Sequence, residues 1–211
     1  CCHDPDDAVK AIANEIWTVT GLELSPTYAP PLLALLSNQA EHARQAAAQA
    51  IAAALTTQAG TASATAKQLC ELFTSCVPTK KKMTEAERIE ASLFEKPSSN
   101  GGSKHSVNAA VSDEAAWMAR SGVALALEAC GRGGALDAAS GDLSLVLPFI
   151  LEKGLTDKDD TVRPQMRAAG IGIIDGFAAE HLDTLLPILE SEMERKPAKG
   201  MSESELELFD W

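Results

Sequence analysis

The chain has 211 residues, of which 45% are hydrophobic and only 4% aromatic, and its formal net charge is −12. So few aromatic residues argue against a β-sandwich, because strands favour aromatic and β-branched side chains. The acidic balance argues against binding of nucleic acid through bulk charge, and leaves only a local basic patch for such binding. The length suits about five helical pairs of ~40 residues each.

The first predicted element is a helix over residues 8–19. Val9, Ile12 and Ile16 belong to its apolar face, and the acidic stretch at residues 4–7 is favourable before a helix because carboxylates complement the unpaired N–H groups there. Gly21 ends the helix. We therefore expect the chain to open on an amphipathic helix.

Two further helices are predicted over residues 27–37 and 41–55, separated by a short polar turn. Two prolines near the start and a set of leucines mark the first, and the alanine-rich second has high intrinsic helicity. Gly60 interrupts the helical pattern. Residues 65–77 are predicted to form the first helix of another pair, with Leu69 and Phe73 apolar. This alternation indicates paired helices.

Residues 78–112 differ in composition and predict a connector. The connector contains Lys80, Lys81 and Lys82, a short helix over 84–94 that opens with a capping-box pattern, and a Ser/Gly-rich run without apolar periodicity. The lysines could contact RNA or an acidic protein, but three lysines alone are more typical of a solvated flank.

The second helix of a pair is predicted over residues 113–130, and a glycine-rich stretch ends it. Trp117, Val123, Ala124, Leu127 and Cys130 pattern its core face. Residues 143–154 and 161–179 then predict a further pair, and a third helix begins near residue 183.

The strongest pattern is an internal repeat. Residues 145–152 (LVLPFILE) are echoed by residues 184–191 (TLLPILES), so that Pro148 and Pro187 lie at equivalent places 39 residues apart. A period of roughly 40 residues with two helices per unit is typical of HEAT or armadillo solenoids. We therefore predict an all-α, HEAT-type solenoid of antiparallel helix pairs in a right-handed superhelix.

The predicted organisation has four parts. Residues 1–77 and 113–195 are HEAT-like repeats, residues 78–112 are the connector with its short helix and flexible loop, and residues 196–211 are an acidic tail or the start of the next repeat. The chain begins with Cys and ends abruptly, which favours an internal piece of a longer protein.

Three arginines lie near the starts of second helices: Arg44, Arg120 and Arg163. They suggest either a binding surface or a ladder, by which we mean a row of arginine–aspartate pairs along the solenoid. The ladder is favoured, because such an arginine reaches the turn aspartate of its own or the adjacent unit, and Asp157 with Arg163 has that spacing. Partly exposed pairs of this kind contribute about 0–1 kcal/mol each. Burial of apolar side chains then supplies most of the stability.

No catalytic, cofactor-binding or metal-binding set is found in the sequence. No phosphate loop or nucleophile elbow is present, and the four histidines are dispersed. Asp157, Asp159 and Asp160 superficially resemble a calcium loop but lack its glycine and glutamate, so we interpret them as helix caps. Five cysteines without metal-site spacing predict free thiols in a reducing compartment, with Cys70, Cys76 and Cys130 buried. No signal peptide and no run near ~18 apolar residues is present.

Three local patterns carry a resemblance to a known family: residues 15–55, WMARSGVALAL at 117–127, and residues 145–190. In order and content they resemble a very large HEAT-repeat translational activator of general amino-acid control, which activates the kinase of the alpha subunit of translation initiation factor two. The order of the patterns and the Trp…Arg…Gly-x-Ala-x-Ala-Leu element together give the resemblance its specificity.

The resemblance implies a cytoplasmic, ribosome-associated scaffold without catalysis of its own or cofactors. It implies that the kinase and an ATP-binding-cassette partner bind through other regions, with no membrane and no sequence-specific nucleic acid as partners. The alternative is a nuclear-transport or trafficking adaptor with the same solenoid architecture. An enzyme is the least favoured class, because a solenoid carries activity only through a separate catalytic domain.

Overall fold

The structure, a computed structural model, describes residues 2–4, 6–21, 27–77, 107–136 and 141–194, without the side chains of residues 59 and 107–115. These stretches contain helices and turns and no strand. The helices are α1 (Asp7–Thr20), α2 (Ala29–Leu35), α3 (Glu41–Thr57), α4 (Ala62–Ser75), α5 (Val107–Arg132), α6 (Asp142–Phe149) and α7 (Val162–Met193). A 3-10 turn at Ala59–Thr61 precedes α4, and a π-helical turn at Ile150–Gly154 extends α6.

The predicted helices outside the connector are confirmed. Helix α1 begins where the Asp6 side chain accepts from the amides of Ala8 and Val9, and it ends at Gly21 in a left-handed conformation. Helix α5 starts six residues before the predicted position 113. Helix α7 is bent at His181, whose backbone is non-helical, so that residues 182–193 form the third predicted helix.

The helices pack in pairs that we call units: unit one is α2 with α3, unit two is α4 with α5, and unit three is α6 with residues 162–180 of α7. The second helices lie side by side, because α5 contacts both α3 and α7, while the first helices α4 and α6 also contact each other. This is the HEAT-type solenoid predicted from the repeat. The right-handed superhelix stays a prediction.

One continuous apolar core runs through the three units. Its largest fully buried side chains come from every unit, which is what stacking requires, because one pair alone cannot bury its apolar face. They are Leu36, Ile51, Leu55, Leu69, Phe73, Leu127, Leu143, Leu147, Ile150, Met166, Ile173 and Leu185.

Helices α5 and α7 approach closely at a pair of glycines. A Cβ atom added at Gly176 would collide with the main-chain carbonyl oxygen of Gly131, and one added at Gly131 would lie 2.6 Å from Ile173 Cγ1. The glycine-rich end of α5 therefore does more than stop the helix. It brings two second helices together, and Gly172 lies in the same contact, because its Cβ would lie 3.1 Å from Arg132 Cγ.

Helix α1 buries none of its residues. Its predicted apolar face is formed, yet Ile12 and Ile16 are 59% and 55% exposed. The helix therefore contributes little to the core that the three units share.

Several predictions concern residues outside those the structure describes. They are the helix over 84–94, the lysine triplet at 80–82, the Ser/Gly-rich run and the tail at 196–211. The four-part division of the chain rests on these stretches and stays a prediction.

Candidate functional site

The three ladder arginines occupy corresponding places in the three units. Arg44 lies in the first turn of α3, Arg163 lies at the start of α7, and Arg120 lies within the longer α5. Arg44 and Arg120 are only 4% and 3% exposed. Buried guanidinium groups need acceptors, because an unpaired buried charge is costly. The acceptors of each arginine therefore define the site.

Arg120 makes a buried, bidentate ion pair with Asp157 of the next unit. Its Nε donates to Asp157 Oδ2 at 2.6 Å and its Nη2 donates to Oδ1 at 3.1 Å. Both side chains are 3–4% exposed. The remaining Nη1 donates to the carbonyl oxygen of Cys76 at 2.8 Å, just after α4 ends. Arg120 thus joins the first helix of its own unit to the turn of unit three.

Arg44 uses only part of its guanidinium group. Its Nη1 donates to the carbonyl oxygens of Asn38 and Gln39 at 2.8 and 3.0 Å, and its Cζ lies 5.6 Å from the ring centroid of Trp117. Its Nε is buried and has no hydrogen-bond partner among the described residues. Within the part of the chain that the structure describes, Arg44 therefore links unit one to unit two through the ring of Trp117 and makes no ion pair.

Arg163 has the most exposed environment of the three. Its Nη1 donates to the carbonyl oxygen of Asp157 at 2.8 Å, and its Nη2 contacts the carboxylate of Asp160. The two side chains of this pair are 40% and 92% exposed. In both Arg44 and Arg163, Nη1 donates to the carbonyl oxygen of the residue six positions earlier, so the two turns have the same hydrogen-bonding arrangement.

The predicted ladder is confirmed in part. An arginine does reach the turn aspartate of an adjacent unit, but this arginine is Arg120. Arg163, which the sequence pairs with Asp157, reaches the carbonyl oxygen of that residue and not its carboxylate. The expectation of partly exposed pairs is wrong for Arg120 and Asp157. The spacing of residues along the chain gives no information on which unit covers a side chain.

Of the three aspartates predicted to cap α7, Asp159 does so, whereas Asp160 pairs with Arg163. Asp157 Oδ1 accepts from the amide of Asp159 at 2.9 Å, and Asp159 Oδ1 accepts from the amides of Thr161 and Val162 at 2.8 and 3.3 Å. Asp157 therefore has two roles, because the same carboxylate orders its own turn and binds Arg120.

A polar cleft of about 440 Å³ lies between the amino-terminal residues and helices α3 and α5. Charged groups of both signs line it, including Asp4, Lys10, Glu128 and Arg132. Burial, together with nearby positive charge, lowers the pKa of His3 there. The Arg132 and Glu128 side chains pair with each other at 2.9 Å. The cleft could not be predicted from the sequence, because its lining residues come from elements that are far apart along the chain.

The cysteine prediction is correct for two residues and wrong for one. Cys70 and Cys130 are buried free thiols, and burial raises the pKa of each to about 12. Cys76, which we expected to be buried, is partly exposed, because it lies beyond the last turn of α4. Among the described residues, no group of three His, Cys, Asp or Glu side chains could hold a metal ion.

The comparisons with known proteins agree with this architecture. The family model described as "Stalled ribosome sensor GCN1, HEAT repeats" matches residues 1–204. The chain belongs to this family. The resemblance to the HEAT-repeat activator of general amino-acid control is thereby confirmed.

Two curated relatives also match the chain. The chain is 29% identical over 195 residues to Protein ILITYHIA of Arabidopsis thaliana and 23% identical over 194 residues to the stalled ribosome sensor GCN1 of Homo sapiens. Each alignment covers 92% of this chain and 6% of the relative. The chain thus spans about 6% of the length of the curated relatives that it matches.

No solved structure matches the chain significantly. Within the described residues, no helix combines the length and the apolar character needed to cross a bilayer.

Proposed function

We propose that this chain is a non-catalytic scaffold segment of a ribosome-associated activator of the kinase that phosphorylates the alpha subunit of initiation factor two. The observation that carries the proposal is the GCN1-type HEAT family match over residues 1–204. The name of the human relative, a stalled ribosome sensor, supports the ribosome as partner.

The physical contribution of the segment is shape. The buried arginine and aspartate fix one unit against the next, and the shared core makes the stack a stiff spacer between partner-binding regions elsewhere in the protein. The segment works in the cytoplasm without cofactor or membrane. The kinase and an ATP-binding-cassette partner bind through other regions.

Sedimentation tests the ribosome part of the proposal. The natural protein that contains this chain, tagged in its own cells, is expected to travel with polysomes and to move to light fractions when EDTA separates the ribosomal subunits. Its presence only in light fractions, or a pull-down enriched in transport receptors or vesicle coats, would support the adaptor alternative instead.

A segment exchange tests whether shape rather than chemistry is used. Residues 27–194 are replaced by an unrelated HEAT segment with the same number of helices, and phosphorylation of the initiation factor is measured during amino-acid starvation. A scaffold is expected to keep most of the signal. Complete loss in a replaced but stable protein would contradict a purely structural role.

A further inference from the structure

The second half of α7 carries an apolar stripe that the core does not cover. We call it the outer stripe, and its members are Leu182, Leu186, Leu189 and Met193. All four are at least partly exposed, and Met193 is 86% exposed, whereas Leu185 on the neighbouring edge of the helix is buried. The apolar face of this helix is therefore wider than the surface that packs against the core.

The spacing of the outer stripe fits a second helix. Its members lie four, three and four residues apart, which is the spacing of a seam whose side chains pack between those of a helix lying alongside. Grooves and faces that bind amphipathic helices hold anchors at this spacing. Helix α6, which carries the residues equivalent to this stripe, packs against helices α4 and α7. The occupant that fits the outer stripe is thus a helix and not an extended peptide.

A row of carboxylates runs beside the outer stripe, and we call it the acidic row. Asp183, Glu190 and Glu194 each follow a stripe residue by one position, so they share one edge of the helix, and all three are exposed. Among the described residues, none of the three forms an ion pair. Residues 168–194 contain no lysine or arginine. Basic side chains on a partner helix would therefore find acceptors along the whole stripe.

The preceding repeat shows that stacking of helices does not require the acidic row. The positions 39 residues earlier, in the copy that other helices cover, hold no acidic residue, and they are occupied by Ser144, Leu151 and Leu155. A helix of this solenoid thus packs against such a stripe without carboxylates beside it. Charges that flank an apolar seam choose the partner. The acidic row therefore selects a positively charged occupant.

Charge also argues against two other occupants. Residues 200–211 of this chain contain four acidic residues and no basic one, so they would meet the acidic row with like charge. A second copy is disfavoured in the same way, because each chain has a net charge of −12. A basic helix of a different protein is the occupant that both the spacing and the charge favour.

We propose that the outer stripe and the acidic row form a docking surface for a partner's amphipathic helix, which carries aliphatic side chains on one face and lysines or arginines beside them. Burial of the aliphatic side chains supplies most of the affinity, and the charges select the partner and speed its association. This goes beyond the scaffold role and does not depend on the ribosome or the kinase as partner, because it rests on the surface of α7 alone.

A designed helix tests the surface. The probe is a labelled three-heptad peptide with leucines in the two seam positions and lysines in the flanking positions, and fluorescence anisotropy measures its binding to the 211-residue chain. We expect saturable binding that weakens as the salt concentration is raised. Two control peptides should not bind. One has glutamates in place of the lysines, and the other has the same composition in scrambled order.

A charge-matched pair of triple variants separates the docking surface from general attraction. Neutralising the acidic row should weaken binding of the lysine peptide about tenfold, through Asp183→Asn, Glu190→Gln and Glu194→Gln. The control removes the same three charges from exposed positions elsewhere, and should change the affinity by less than about twofold because distant exposed charges are screened. Its substitutions are Glu15→Gln, Glu41→Gln and Asp160→Asn.

A second variant tests the apolar part of the surface. Leu186→Ala together with Met193→Ala shortens the outer stripe and should also weaken binding about tenfold. Both side chains are exposed, so we expect this variant to fold, which circular dichroism verifies. If it does not fold, Leu182→Ala gives the same readout at a single position.

Five outcomes would overturn the proposal. Three of them are the absence of saturable binding, equal binding of the scrambled peptide, and an unchanged affinity in the folded variants. The fourth is binding that appears only after deletion of residues 197–211, which would assign the outer stripe to the end of this chain. The fifth is a dimer that Leu186→Ala dissociates in analytical ultracentrifugation, which would assign the stripe to a second copy.

Discussion

Residues 143–150 and 182–189 carry the same apolar pattern, but the first copy is covered more completely than the second. Leu143, Leu147 and Ile150 are at most 1% exposed, whereas Leu182 and Leu186 at the repeated positions are 50% and 45% exposed. Helix formation is common to both stretches. The difference shows that the pattern specifies a helix with an apolar face, and that covering this face requires a second element.

The neighbours explain the difference. Helix α6 packs against α4 on one side and α7 on the other, so its face is enclosed by two units. Within residues 182–193, Leu185 reaches the core while Leu182, Leu186 and Met193 remain exposed. Stability in a repeat protein is the sum of unit and interface terms. Substitutions in residues 143–150, the covered copy, should therefore change the stability strongly. Substitutions in residues 182–189, the uncovered copy, should change it weakly.

The turn after the covered copy offers the largest expected effect. Asp157→Asn leaves the buried charge of Arg120 without its counter-ion, and breaking a buried pair costs about 3–5 kcal/mol. Asp160→Asn in the same turn removes a carboxylate that is 92% exposed, and costs less than ~1 kcal/mol. Urea unfolding followed by circular dichroism measures both.

A double variant sharpens this prediction. Arg120→Met with Asp157→Leu removes both charges together and should lose less stability than Asp157→Asn alone, because no buried charge is left unpaired. Equal losses for Asp157→Asn and Asp160→Asn would show that the ion pair contributes nothing beyond a surface pair.

The second prediction compares the two leucines directly. Leu147→Ala opens a cavity in the covered copy and should cost about 2–5 kcal/mol. Leu186→Ala at the repeated position should change the stability by no more than ~0.5 kcal/mol, because the side chain is already 45% exposed. The same unfolding experiment measures both. Similar losses at the two sites would mean that residues 182–193 are covered in solution.

The sequence predicted the helices and their pairing well because both follow from local information. Apolar spacing placed α3, α4 and the two halves of α7, and the repeated proline revealed the unit length. The ladder was predicted as a class of interaction, but its pairing was not, because Arg120 and Asp157 lie 37 residues apart and meet only through the stacking of units. The stack of Arg44 on Trp117 has the same non-local origin, since these residues belong to different units.

The smallest expected effect comes from two glycines on α7, six residues apart. Gly176 lies where a Cβ atom would collide with the carbonyl oxygen of Gly131, so Gly176→Ala should separate α5 from α7 and cost about 1–3 kcal/mol. Gly170 meets only Ile150 Cγ2 at 3.5 Å, an ordinary contact, so Gly170→Ala should stabilise the helix by up to ~1 kcal/mol. Thermal unfolding distinguishes the two, because the midpoint should fall for Gly176→Ala and rise for Gly170→Ala. A rise for both would show that the close approach of α5 and α7 is not required, and that the covered copy relies on its leucines and its ion pair alone.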